Sequence, residues 1–197
     1  MRDRADNTQL AVERVFVGTP TVLGDFGRER VLSAIAKQEV RGTHITLQPT
    51  NLDGDRQADL VNHGGIDKAV YLYPAEHYSE WNTSQYTLAA GAFGENVSVR
   101  GALEPDVRIG DVWQWGDALI QISQPRQPCY KLGMRVGNKA IIADMVRSGR
   151  CGWYARVLQA GDVPVRGAMV LQDRNSDSPS VAEAFAMLFE SPRTASS

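Results

Sequence analysis

The chain has 197 residues, of which 43% are hydrophobic and 22% charged, and its formal net charge is −2. This composition is ordinary for a globular domain, and the slightly negative charge argues against a nucleic-acid-binding protein. Two cysteines are too few for a disulfide scaffold. The sequence offers no signal peptide and no apolar run of transmembrane length, so a cytoplasmic protein without membrane contact is predicted.

Short apolar or alternating segments, bounded by turn-forming residues, predict that strands dominate the chain. The predicted strands lie in residues 12–17, 43–47, 69–73, the end of 91–99, 109–115, 118–123, 152–158 and 164–171. Gly116 and Asp117 separate two of them and predict a tight hairpin. Many short strands with few helices predict an α+β fold that is mainly β, with a β-barrel-like domain and a few inserted helices.

Three helices are predicted beside these strands. The first covers residues 74–81 and begins with a proline, which suits the first helical position. The second runs from Asn138, a residue type that caps helices, to about Ser148. The third begins after Ser180, which forms a capping box with Glu183.

The segment 124–132 places Cys129 between two prolines and two cations. Prolines at 125 and 128 fix φ and remove backbone donors, so they predict a stiff loop rather than a helix or a central strand. Arg126 and Lys131 would lower the pKa of the thiol and favour the thiolate, which is the form that attacks substrates and binds metals. A free cysteine can equally be a small buried hydrophobe, and this loop alone does not decide between the two roles.

Cations are concentrated around this cysteine. Between residues 125 and 156 a single acid, Asp144, stands against Arg126, Lys131, Arg135, Lys139, Arg147, Arg150 and Arg156. Such a patch in a slightly acidic chain predicts an anionic ligand, most simply a phosphate. The alternative is a solvated helix face, because several of these cations share the predicted helix.

A second notable segment is His63-Gly64-Gly65, which Lys68 follows. Adjacent glycines let the backbone approach a ligand closely, and their N–H groups beside a cation can hold an anion. A tight turn between strands explains the pair equally simply, because Gly-Gly is a weak motif. A Cys129–His63 pair would suit a cysteine nucleophile, although the sequence does not show that the two residues meet.

Several familiar sites lack their sequence signature. There are three histidines, and neither Cys-x-x-Cys nor His-Glu-x-x-His occurs, so we expect no structural zinc. Neither glycine-rich nucleotide motif is present, which predicts no nicotinamide or nucleoside-triphosphate site. The absence of Gly-x-Ser-x-Gly likewise gives no support to a hydrolase of that type.

An ordered set of motifs runs through the chain: Asp53-Gly54-Asp55, His63-Gly64-Gly65, Asp67-Lys68-Ala69-Val70, the segment 73–78 with Trp81, Phe93-Gly94-Glu95-Asn96, Gly110-Asp111, the segment 123–129 and the segment 149–154. Together they resemble the MOSC domain, and within that family the YiiM-like branch. The resemblance covers residues 12–172. We therefore expect a MOSC domain there, followed over 173–197 by a linker, a short C-terminal helix and a disordered tail.

The resemblance implies a β-barrel-like fold that binds the molybdenum cofactor, a molybdopterin carrying a phosphate. It also implies an oxidoreductase that reduces N-hydroxylated compounds, such as hydroxylaminopurines and amidoximes, by two-electron cleavage of the N–O bond. No flavin, iron–sulfur or haem motif is present, so a separate reductase would supply the electrons. The protein would act in the cytoplasm as a monomer or homodimer, and no pyridoxal-phosphate site is expected.

The same resemblance implies the residues of the site. Cys129 aligns with the family cysteine that is taken to ligate molybdenum, a role that suits a soft thiolate, and Tyr154 is a candidate proton donor. The implied cofactor-binding residues are His63, Gly64, Gly65, Lys68, Glu95, Asn96, Arg126, Lys131 and Arg150. Cys151 is expected to be a small buried residue and not a ligand.

Two other functions fit the same residues. A sulfur carrier would hold a persulfide on Cys129 for metal–sulfur cofactor assembly. A binding module would store or pass on the pterin cofactor without turnover.

Overall fold

The computed structural model describes residues 9–57, 64–83 and 85–190. Its strands are β1 (Gln9–Val17), β2 (Thr21–Phe26), β3 (Glu29–Ser33), β4 (Gln38–Glu39), β5 (His44–Leu47), β6 (Val70–Pro74), β7 (Val97–Arg100), β8 (Val112–Trp115), β9 (Ala118–Pro125), β10 (Trp153–Gln159), β11 (Gly161–Pro164) and β12 (Gly167–Asp173). The helices are α1 (His77–Trp81), α2 (Tyr130–Val136), α3 (Ala140–Ser148) and α4 (Val181–Phe189), with a 3₁₀ helix at Ile66–Lys68.

Seven strands form a closed barrel. Their order is β12-β8-β9-β10-β6-β7-β1, and β1 pairs with β12 to complete the circle. All neighbours are antiparallel except β6 and β7, which run parallel. Strand β4 adds to β1, while β2–β3 and β5–β11 form separate two-stranded sheets. The mainly β, barrel-like α+β fold expected from the sequence is confirmed.

Buried side chains, at every second position along the strands, fill the barrel. In β9, Ala118, Ile120 and Ile122 are buried while the residues between them are half-exposed, as the two-residue period of a strand requires. Two tryptophans of the neighbouring strands, Trp113 and Trp153, are almost completely buried. This packed interior fixes the strand ends, on which the pocket described below is built.

Several element boundaries differ from the sequence prediction, and two of the differences concern prolines. Pro74 does not begin a helix but ends β6, because its parallel partner β7 keeps the chain extended, with Pro74 opposite Val99. The helix α1 starts only at His77. The last predicted strand, 164–171, begins too early: Pro164 is the last residue of a separate strand, β11, and β12 begins at Gly167.

The C-terminal helix agrees with its predicted cap. Ser180 Oγ accepts from the Glu183 N–H at 3.2 Å, and the Ser180 N–H donates to Glu183 Oε2 at 2.7 Å. Val181 and Phe185 are buried in the common hydrophobic core, so this helix packs on the barrel domain. Residues 191–197, predicted to form a disordered tail, lie outside the described residues.

None of the helices in these described ranges combines the length and the apolar character needed to span a lipid bilayer.

Candidate functional site

An open pocket of about 650 Å³, solvent at its mouth included, lies where several strand ends and loops meet. Its walls come from four parts of the chain: residues 33–37 after β3, residues 55–57, residues 93–96 before β7, and residues 126–131 after β9. Lys68, Tyr71 of β6 and Tyr154 of β10 complete it. The barrel therefore gathers into one place side chains that are far apart in the sequence.

Cys129 lies in the pocket wall and is half-buried. The ladder between β9 and β10 continues to Pro125, which pairs with Trp153, and the Arg126 N–H then donates to the Gly152 carbonyl at 3.3 Å. Cys129 itself has extended backbone and immediately precedes α2. The thiol is thus held on a short connection between a strand and a helix, directly after a strand end, as the sequence predicted.

Arg126 is the most deeply buried cation of the pocket, with 4% of its surface exposed. Its guanidinium lies 5.6 Å from the centre of the Tyr71 ring, and Nη1 contacts Met145 Sδ at 3.4 Å. Burial by itself lowers the pKa of Arg126, but interactions with Tyr71, Tyr154 and Cys129 raise it above its ordinary value. Within the described part of the chain no carboxylate forms an ion pair with it. A buried cation of this kind favours an anionic ligand.

Four further cations line the same pocket. Among the described lining residues these cations are Lys37, Arg56, Lys68 and Lys131, and the carboxylate is Asp55. Asp55 is buried and pairs with Lys37, and it also accepts hydrogen bonds from the Gly18 N–H at 2.8 Å and from Asn96 Nδ2 at 2.9 Å. Burial lowers the pKa of Lys37, and Asp55 opposes that shift. The described part of the pocket wall therefore has a positive excess, which suits a phosphate or another anion.

The cation patch expected after Pro125 does not gather at this pocket as a whole. Of its seven members, Arg126 and Lys131 line the wall. Arg147 pairs with Asp144, and Arg156 pairs with Asp67 at 2.8 Å. Lys37 and Arg56 replace the missing charge, and sequence reasoning missed both because they lie in distant segments.

Arg150, expected to bind the cofactor, is not among the pocket-lining residues. Its Nη2 lies 3.2 Å from Glu80 Oε2, and its guanidinium lies over the Trp81 ring at 5.8 Å. These contacts hold the side chain on α1, so the structure does not bring Arg150 to the other expected residues.

The glycine pair lies behind the pocket wall. The Gly65 N–H donates to Gln57 Oε1 at 2.8 Å, and Gln57 Nε2 donates to the Lys68 carbonyl at 3.1 Å. Gln57 and Lys68 line the pocket, whereas Gly64 and Gly65 do not. His63 lies outside the described residues. The turn thus positions pocket residues, and the Gly65 N–H is occupied by Gln57.

Glu95 and Asn96 have different roles. Glu95 is completely buried behind the wall, where Oε1 accepts from the Gly91 N–H at 2.7 Å, Tyr78 Oη at 2.5 Å and Ser98 Oγ at 3.0 Å. Asn96 lines the pocket. Its Oδ1 accepts a hydrogen bond from the Tyr71 N–H at 3.1 Å, and its Nδ2 donates to Asp55.

Gly94 allows the loop before β7 to reach the pocket. Its φ is +78°, a region that favours glycine, and a Cβ there would lie 2.5 Å from Ile35 Cγ1. Since Ile35 is also in the wall, any side chain at position 94 would displace Ile35 and so change the shape of the pocket.

Tyr154 and Cys151 complete the set of predicted residues. Tyr154 lines the pocket, and burial raises the pKa of its hydroxyl while Arg126 opposes that shift. It therefore remains protonated and can donate a hydrogen bond. Cys151 is fully buried, and burial raises the pKa of its thiol well above the ordinary value, which agrees with the small buried residue expected.

The pocket provides one soft metal ligand. Over the described ranges no group of three or more His, Cys, Asp or Glu residues is placed to hold a metal ion. A thiophilic metal at Cys129 would therefore take its other ligands from a bound organic group. A thiol beside an excess of cations fits an anionic, sulfur-containing metal cofactor.

Comparisons with known proteins agree with this architecture. Residues 59–169 match the family model described as "MOSC domain". The chain is 42% identical over 164 residues to the Escherichia coli protein YiiM, a match that covers 81% of this chain and 72% of YiiM. A protein of Gibberella moniliformis named "Reductase" is 37% identical over 145 residues, which cover 71% of this chain and 25% of that protein.

A solved structure is similar over most of the fold. The crystal structure of YiiM from Geobacillus stearothermophilus superposes with a TM-score of 0.74 at 31% identity and covers 91% of this chain and 83% of that one.

Proposed function

Because the chain belongs to the MOSC domain family, in its YiiM-like branch, we propose that it is a molybdenum-cofactor-dependent reductase of N-hydroxylated compounds. The observation that carries the proposal is the pairing of Cys129 with Arg126 in one pocket. A half-buried thiol offers a soft metal ligand, and a buried guanidinium without a carboxylate partner in the described chain favours an anion.

The pocket residues divide into two roles in this proposal. Cys129 would hold molybdenum through its thiolate, and the cofactor itself would supply the other metal ligands. Arg126 would bind an anionic group of the cofactor, and Lys131, Lys68 and Arg56 would interact with its remaining negative charge. Lys37 and Asp55 hold this wall in place through their ion pair.

The reaction removes oxygen from nitrogen. A substrate R–NHOH takes up two electrons and two protons and gives R–NH₂ and water. When bound, the molybdenum cofactor supplies the two-electron redox chemistry. The chain itself binds and orients both groups, and the Tyr154 hydroxyl donates a hydrogen bond in the pocket. The electrons come from a separate reductase, and the protein acts in the cytoplasm as a monomer or homodimer.

The first experiment measures molybdenum per chain in protein made in a host that synthesises the cofactor. We expect near-stoichiometric molybdenum in the wild-type protein and loss of nearly all of it in Cys129→Ser. Cys151→Ser is the matched control and should keep its molybdenum, because Cys151 does not line the pocket. The loaded protein should then reduce a hydroxylaminopurine with an artificial electron donor.

Two results would contradict this function. Loaded, folded protein that leaves every N-hydroxylated substrate unreduced would favour a cofactor-binding module. Protein without molybdenum that carries an adduct of about 32 Da on Cys129, the mass of one sulfur atom, would favour the sulfur carrier.

A further inference from the structure

Two exposed aromatic rings meet beside the reactive cysteine. Phe26 ends β2 with 59% of its surface exposed, and Tyr130 begins α2 with 40% exposed. Their ring centres are 4.7 Å apart, at an interplanar angle of 40°. Tyr130 directly follows Cys129, so this aromatic pair lies beside the pocket wall, although neither ring is among the residues that line the pocket.

The aromatic pair is fixed to the pocket from both sides. Strand β2 pairs with β3 over Thr21–Phe26 and Glu29–Ser33, and β3 leads directly into Ser33, Ala34 and Ile35 of the pocket wall. On the other side, Met134 of α2 packs closely over Gly24 of β2. The rings are therefore held at a defined position relative to Cys129.

The cationic pocket does not account for this feature. Its interior binds anions through Arg126 and the surrounding lysines, whereas Phe26 and Tyr130 present apolar ring surface to solvent. The barrel core does not need them either, because neither ring belongs to it. Rigid aromatic surface next to a reactive group is suited to stacking with a flat ligand.

We propose that Phe26 and Tyr130 stack against the planar part of the substrate and select heteroaromatic N-hydroxylamines over aliphatic ones. This inference rests on the proposed function and adds to it the residues that determine specificity. The reducible N–O group extends past the rings toward Cys129. An aliphatic substrate reaches the same group without using the rings.

The test combines binding with turnover. Adenine, the product of reducing 6-hydroxylaminopurine, is titrated calorimetrically into molybdenum-loaded protein without an electron donor. We expect adenine to bind Phe26→Ala at least about fivefold more weakly than wild type, the usual loss when an aromatic–base stack is removed. Phe26→Trp should retain binding, because it keeps a stacking surface.

Phe189→Ala is the matched control. Phe189 is 45% exposed, and the centre of its ring lies 4.9 Å from that of Phe185. It lies on α4 and does not line the pocket. Its variant should bind adenine like wild type. In turnover, Phe26→Ala should lower kcat/KM for 6-hydroxylaminopurine by a similar factor and leave kcat/KM for acetamidoxime unchanged.

The outcomes separate this inference from the function on which it rests. If the wild-type protein reduces both substrates and Phe26→Ala affects them equally or not at all, the inference is overturned and the function stands. A defect of Phe26→Ala confined to the KM for a protein electron donor also overturns it, because the rings would then contact that donor. If no N-hydroxylated compound is reduced, the function itself fails.

Discussion

A buried arginine and a half-buried arginine in this barrel, Arg126 and Arg174, have opposite surroundings. Arg174 binds Asp111 with both ends of its guanidinium, through Nε to Oδ1 at 3.2 Å and Nη2 to Oδ2 at 2.8 Å. Asp111 is completely buried and also accepts the Arg108 N–H at 3.0 Å. Arg126 is more deeply buried than Arg174 but contacts aromatic rings and sulfur in place of a carboxylate.

We interpret this difference as one between a charge that stabilises the fold and a charge that binds a ligand. A bidentate arginine–carboxylate pair satisfies both groups internally and connects the residue that follows β12 to the loop before β8. A buried guanidinium with no carboxylate partner in the described chain carries a desolvation cost that an anionic ligand offsets. We infer that Arg174 contributes to stability, while Arg126 contributes to binding.

The largest expected effect comes from breaking the structural pair. Asp111→Asn should lower the free energy of unfolding by about 3 kcal/mol, because it leaves Arg174 without its counter-charge in a largely buried place. Denaturant unfolding measures this change. Asp177→Asn, a surface control on an exposed residue, should change stability by no more than about 0.5 kcal/mol. Equal losses in the two variants would contradict the structural role of Asp111.

Replacing Arg126 should weaken anion binding without lowering the stability of the fold. Arg126→Met should leave the free energy of unfolding unchanged or raise it by about 1 kcal/mol, because an apolar side chain replaces a buried charge that lacks an ion-pair partner. It should also abolish stabilisation by inorganic phosphate, which in the wild type reaches about 1.4 kcal/mol at ten times the phosphate Kd. Thermal unfolding in phosphate and in chloride of equal ionic strength measures both effects.

Arg174→Met provides the matched control for that experiment. It should lose stability while keeping its response to phosphate. If Arg126→Met instead unfolds like Arg174→Met and still responds to phosphate, the assignment of the two arginines is wrong.

The smallest expected effect concerns Glu183, a charged residue that does not line the pocket. The Ser180 N–H and hydroxyl lower the pKa of Glu183 below its ordinary value of about 4.5. A carboxyl with a lowered pKa in the folded state adds stability above pH 4.5 and loses it as the pH falls through the folded-state pKa. The stability difference between wild type and Glu183→Gln should therefore be constant from neutral pH to about pH 5 and shrink at lower pH. Urea unfolding at several pH values checks this, and a difference that grows in acid would contradict it.

Local physics made much of the fold predictable. The Gly116–Asp117 turn places Trp115 opposite Ala118, and the capping box at Ser180 forms as its spacing predicts. Each feature depends on residues that are close in sequence. The position of Cys129 after a strand end belongs to the same class.

Helix α2 shows where the local argument was incomplete. Two prolines near Cys129 predicted a loop, yet a helix begins at Tyr130, directly after the second proline and the cysteine. Proline blocks a helix interior but not a helix that starts after it. Gly137, which ends α2 in the left-handed conformation with φ of 74°, was the available signal.

The composition of the pocket could not be read from nearby residues. Lys37 and Arg56 join Arg126 and Lys131 only because the fold brings three distant segments together. Arg150 and Arg156 were equally good candidates by sequence, but Glu80 and Asp67 hold them elsewhere. Which cations converge is decided by long-range pairing, which single-sequence patterns do not encode.

The closure of the barrel by β1 and β12 has a consequence for biosynthesis. The ribosome makes Gln9–Val17 early and Gly167–Asp173 late, yet these two segments are direct neighbours in the finished sheet. Until the late strand emerges, the nascent chain carries an unpaired strand edge, which can pair with other chains. Chaperone protection of the growing chain should therefore matter up to β12. Joining this pair by a short linker and opening the chain at another loop would give a circular permutant that closes the barrel early.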